Sequence, residues 1–83
     1  STVAVTLTGL VNPTEVRVYD EGTATELDGQ EDVTTGSFVF SLAASTVVDI
    51  RIFATGYLPA DILSYTVPAS ATSIPIQQVF DRV

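Results

Sequence analysis

Apolar residues recur at every second position through most of the chain. Val3, Val5 and Leu7 alternate with Thr2, Ala4, Thr6 and Thr8, and Val16 and Val18 alternate with Arg17 and Tyr19. Phe38, Phe40 and Leu42 alternate with Ser37, Val39 and Ser41; Val48, Ile50 and Ile52 alternate with Asp49, Arg51 and Phe53. A period of two sends neighbouring side chains to opposite faces of a strand, so each stretch predicts a strand with one buried face. The fourth stretch then carries Asp49 and Arg51 outward together, two residues apart. Ile74 and Ile76 flank Pro75, and a proline without an N–H restricts that strand to an edge. Shorter signals at Ala24–Leu27 and Ile62–Val67 bring the expected number to about seven. No window repeats apolar residues at helical spacing.

Turn residues separate these stretches. Gly9–Thr14 contains Asn12-Pro13, and Asp20-Glu21-Gly22, Asp28-Gly29 and Thr35-Gly36 follow. Ala43–Thr46 and Gly56–Pro59 bound the fourth stretch. Turn signals every 8–12 residues point to an all-β sandwich or barrel. The expected fold is an immunoglobulin-like or prealbumin-like β-sandwich of about seven strands, formed by one domain over residues 1–83. The opening at Ser1 rather than methionine fits equally a mature chain and a module of a longer one.

Composition removes several classes of function. Ten acidic residues against three arginines give a net charge of -7, and lysine and histidine are both absent. Such a surface has nothing with which to replace counterions on a phosphate backbone, so neither nucleic acid nor an anionic membrane surface is an expected partner. The longest stretch without proline or glycine, Ser37–Thr55, carries Asp49 and Arg51, which argues against insertion in a membrane. Without cysteine or histidine there is no disulfide, no thiolate nucleophile and no zinc site of the usual kind. A serine here has no histidine to activate it, and no Gly-x-Ser-x-Gly elbow occurs. The chain is therefore expected to be non-enzymatic and to need no cofactor.

Two resemblances extend this picture. Thr35-Gly36-Ser37-Phe38-Val39-Phe40, followed by Ala54-Thr55-Gly56-Tyr57, resembles the middle and end of carboxypeptidase regulatory-like domains. That resemblance implies a prealbumin-like (transthyretin-like) seven-stranded sandwich. Glu15-Val16-Arg17-Val18-Tyr19-Asp20, Thr25-Glu26-Leu27-Asp28-Gly29, and Ile74-Pro75-Ile76-Gln77-Gln78 with Asp81-Arg82 are similar to segments of tailed-bacteriophage structural proteins. This second resemblance implies a virion or fibre building block, and hence a virion or extracellular location.

Three groups of residues are candidates for a site. The stretch Asp20–Asp32 holds six of the ten carboxylates, and Asp28, Glu31 and Asp32 are the best placed for a calcium ion. The spacing is not that of an EF-hand, which favours a solvated acidic loop instead. Tyr19, Phe53, Tyr57 and Tyr65 are aromatics that could stack on a sugar, although tryptophan is absent and Tyr57 is also suited to closing a strand corner. Arg17 and Arg51 are expected to pair across strands with acids such as Asp49.

The third group concerns self-association. Val39 and Phe53 fall on outward positions, no lysine blunts any strand edge, and both chain ends are β-prone. Val3, Val5, Val39, Phe53, Ile74 and Ile76 are the expected contacts. The expected function is a structural subunit that associates with copies of itself or other structural subunits through sandwich faces and strand edges. The alternative is an accessory module that binds a glycan or another surface.

Overall fold

The computed structural model describes residues 2–81. Arg82, part of the Asp81-Arg82 segment noted above, lies outside them. Among the described residues the strands are β1 (Val3–Thr8), β2 (Thr14–Asp20), β3 (Glu26–Val33), β4 (Phe38–Leu42), β5 (Val47–Phe53), β6 (Ala60–Thr66) and β7 (Thr72–Pro75). They form two sheets, with orders β4-β1-β7 and β3-β2-β5-β6. This is the all-β, seven-stranded, two-sheet architecture expected. No helix among the described residues is long and apolar enough to cross a membrane.

The period-two pattern sets the core. Val3, Val5 and Leu7 of β1 and Phe38 and Phe40 of β4 are buried from the three-stranded side. Thr14, Val16 and Val18 of β2 and Val48, Ile50 and Ile52 of β5 are buried from the four-stranded side. Leu10, Val33 and Val67 complete one continuous hydrophobic cluster. Asp49 and Arg51 lie on the outer face, as their alternation requires.

The turns follow the chemistry of the connections. Gly9 has a positive φ of 73°, and a Cβ there would lie 2.9 Å from the Ile76 carbonyl oxygen. Its missing side chain lets the segment after β7 run close beside the end of β1, where the Ile76 amide donates to the Thr8 carbonyl at 2.8 Å. β7 pairs with β1 in parallel and is an edge strand, consistent with Pro75.

Two expectations are corrected. Asp28-Gly29 is not a turn: both residues lie within β3, opposite Val18 and Arg17. The short strand signal at Ala24–Leu27 is displaced for the same reason, because β3 starts at Glu26 and continues to Val33. Pairing with β2 overrides the local turn preference, as tertiary context commonly does for strand propensity. The stretch Asp20–Asp32 is therefore an edge strand preceded by a short turn, and not one long loop.

β1 supplies the second correction. It lies between β4 and β7, so both of its edges are already hydrogen-bonded. Val3 and Val5 are buried and cannot meet a neighbouring copy; Ile74 and Ile76 are half-buried against the core.

The register yields a direct test. Phe40→Ala should cost about 3–5 kcal/mol through loss of burial and cavity formation, whereas Val39→Ala, half-exposed on the other face, should stay within about 0.5 kcal/mol. Denaturant unfolding of the two variants measures both. A one-residue shift in β4 would exchange the two results.

Candidate functional site

The outer face of the four-stranded sheet carries the densest polar arrangement. Register places Gly29, Arg17, Arg51 and Asp61 in one row across β3, β2, β5 and β6. Two arginines directly opposite one another repel. Each is held by carboxylates. Arg17 Nε donates to Glu15 Oε2 at 2.7 Å, Nη1 to Glu26 Oε2 at 3.0 Å and Nη2 to Glu31 Oε1 at 3.4 Å. Arg51 Nη1 donates to Asp61 Oδ2 at 3.4 Å. The Glu15 and Glu26 hydrogen bonds raise the pKa of Arg17 further above its ordinary value and keep it charged.

Gly29 makes this arrangement possible. Its φ is not in the left-handed region, so conformational freedom is not the reason for glycine. A Cβ at this position would stand 2.6 Å from Glu26 Oε2, 2.9 Å from the Val16 carbonyl oxygen and 3.1 Å from Arg17 Cδ. The absent side chain leaves room for Arg17 to lie over β3 and reach Glu26 and Glu31 on that strand.

Asp49 plays a different part from the one expected. Among the described residues no arginine forms an ion pair with it; its Oδ1 accepts from the Ser64 amide at 2.9 Å and its Oδ2 from the Gly22 amide at 3.1 Å. β6 has an irregular register opposite Asp49, and Ser64 there has a positive φ of 56°. The Ser64 hydroxyl also donates to Glu21 Oε2. Asp49 thus ties the β2–β3 turn to the bulge of β6. The Ser64 amide first, and then the Gly22 amide, hold its carboxyl below the usual carboxylate range, with Arg51 adding a smaller effect.

The calcium candidates are dispersed. Asp28 pairs with inward-facing Val18, and its Oδ1 accepts from the Gly29 amide at 2.8 Å. Glu31 is turned to Arg17 on the outer face, while the Asp32 carbonyl accepts from Gln30 Nε2. Among the described residues no three His, Cys, Asp or Glu side chains form a group that could hold a metal ion.

The aromatics also separate. Tyr57 and Phe80 meet edge to face with centroids 5.5 Å apart, where the Leu58 amide donates to the Val79 carbonyl. Tyr57 therefore packs against the C-terminal segment. Tyr19 and Phe53 instead line an open depression of about 370 Å³ on the outer face, with Glu15, Arg17, Arg51 and Asp61. The alternation of β2 and β5 was sufficient to place Arg17, Tyr19, Arg51 and Phe53 on outward faces, whereas Asp61 joins them only through the pairing of β6 with β5. The role of Gly29 and the amide partners of Asp49 were not signalled by any motif.

Compared with known proteins, the chain matches no family model and has no significant match among curated proteins.

Gly29→Ala should lower stability by about 1–3 kcal/mol, because the new methyl crowds the Val16 backbone oxygen. A strand glycine replaced without obstruction would instead gain about 0.5–1 kcal/mol. The sign of the change in chemical denaturation decides between them.

The Asp49 carboxyl titrates lower in the folded than in the unfolded chain. Its contribution to stability is thus complete above the ordinary carboxylate pKa and is lost as pH falls through the folded value. Thermal melts from pH 6 down to pH 2 should show an acid limb below about pH 4, and Asp49→Asn should flatten part of it while lowering the melting temperature at pH 6.

Proposed function

We propose that the chain is a non-enzymatic structural subunit that associates with copies of itself, as part of a phage virion component or an extracellular fibre. The observation that carries this reading is the distribution of charge between the two sheets. β1, β4 and β7 contain no charged residue at all. Among the described residues every Asp, Glu and Arg except Asp81 lies in β2, β3, β5, β6 or the turn joining β2 to β3. One side of the sandwich is a field of carboxylates that keeps copies apart. The other presents half-buried Ala4, Thr6 and Thr8 beside exposed Val39, Ser41 and Ser73, and can approach another protein without desolvating a charge. A lone subunit in solution has no need of such segregation; a subunit that is packed on one side does. The similarity to phage structural-protein segments supports the same reading and supplies the proposed location.

A second reading is favoured by the depression on the charged face. Tyr19 and Phe53 beside two arginines and two carboxylates resemble a shallow aromatic platform on which a glycan could rest.

Sedimentation velocity at micromolar concentration over a salt series tests the first reading. With -7 charges per copy, added salt should screen repulsion and raise the sedimentation coefficient. A folded monomer at every salt and concentration would overturn it. In that event polysaccharide binding that disappears on Phe53→Ala would establish the second.

A further inference from the structure

If the chain self-associates as proposed above, we infer that the first contact is made by β4, which pairs antiparallel with β4 of a second copy about a two-fold axis at Phe40. A two-sheet sandwich of this order has four edge strands: β4 and β7 in one sheet, β3 and β6 in the other. Each presents unpaired backbone donors and acceptors along its free side, and each must either be blunted or be used.

Three of the four are blunted. β3 carries Glu26, Asp28, Glu31 and Asp32, and its register against β2 shifts twice. Its own charge repels an identical strand, and its bulges twist the edge out of line. β6 contains Asp61 and the irregularity at Ser64, whose amide is turned to Asp49. β7 has only four residues, one of them Pro75. All three use devices that natural sheets employ against edge-to-edge contact.

β4 uses none of them. Its five residues, Phe38-Val39-Phe40-Ser41-Leu42, include no charge, proline or glycine. Its register with β1 runs from Val3↔Leu42 to Leu7↔Phe38 without a shift, so the strand is regular along its length. Within the sequence it lies in a stretch from Val33 to Val48 that has no charged residue. The net charge decides the occupant. Two copies at -7 each can approach only where carboxylates are absent, and among the edges long enough to pair, β4 alone meets that condition.

The strand is also complementary to itself. Antiparallel pairing about Phe40 sets Phe38 opposite Leu42, Val39 opposite Ser41, and Phe40 opposite its own copy. Phe38, Phe40 and Leu42 then continue the buried face of one subunit into the other, and the half-buried Leu42 gains a phenylalanine neighbour. The three-stranded sheets join as one of six strands. The two-fold contact closes on itself, so the dimer is the unit from which any larger assembly is built through other surfaces.

The double variant Val39→Lys with Ser41→Lys tests this pairing by sedimentation velocity. Both residues are exposed on the outer face, and the substitutions set like charges opposite each other twice in the pair. The matched control, Leu63→Lys with Thr66→Lys on β6, changes net charge by the same amount at another edge. The β4 variant should weaken dimerisation by about tenfold or more, while the control associates at least as well as the parent chain. If the β4 variant melts early, Ser41→Lys alone repeats the measurement with a milder change. A parent chain that associates while both variants associate equally would overturn the β4 pairing and leave self-association standing. A parent chain that remains monomeric at every salt would remove both.

Discussion

Val5 and Leu7 on one sheet and Ile50 and Ile52 on the other are almost wholly withdrawn from solvent, and the remaining structure depends on keeping them packed together. A chain this short can bury only about 60–70% of its unfolded surface. Nearly every inward position is therefore committed to one hydrophobic cluster, with little to spare. That constraint fixes the phase of each strand, because a shift by one residue would turn Asp49 and Arg51 into the core and Ile50 and Ile52 out of it.

Fixing the inward faces leaves the outward ones to differ, and they differ sharply. The four-stranded sheet has collected the charges. There Arg17 is satisfied by three glutamates from β2 and β3, and Asp49 accepts two backbone amides across the face. These contacts do local structural work: they hold the irregular edges β3 and β6 in place, where regular strand pairing is interrupted. The three-stranded sheet carries threonine, serine, alanine and valine instead, and its free strand β4 is regular. The charged sheet is protected at its edges as well as its face, whereas the uncharged sheet has one edge without protection. The self-association proposed above would account for both halves, with one side solvated and the other packed on a second copy.

The sequence determined the fold class through alternation and the turn residues that punctuate it. Period-two spacing of Val, Ile, Leu and Phe placed Phe38, Phe40, Ile50 and Ile52 inside and Asp49 and Arg51 outside without reference to any long-range contact, because side-chain direction in a strand is a local property. What required tertiary structure was everything set by strand neighbours. Asp28-Gly29 has the chemistry of a turn, yet β2 holds it in a ladder, and Gly29 is needed for the passage of Arg17 rather than for a reversal of the chain. Val3 and Val5 suit an open edge equally well until β4 and β7 occupy both sides of β1. The partners of Asp49 come from residues 22 and 64, at separations that no short-range pattern encodes. Alternation states which face a residue takes, while the order of strands, which is decided only on folding, states what lies beside it and which edges are left open.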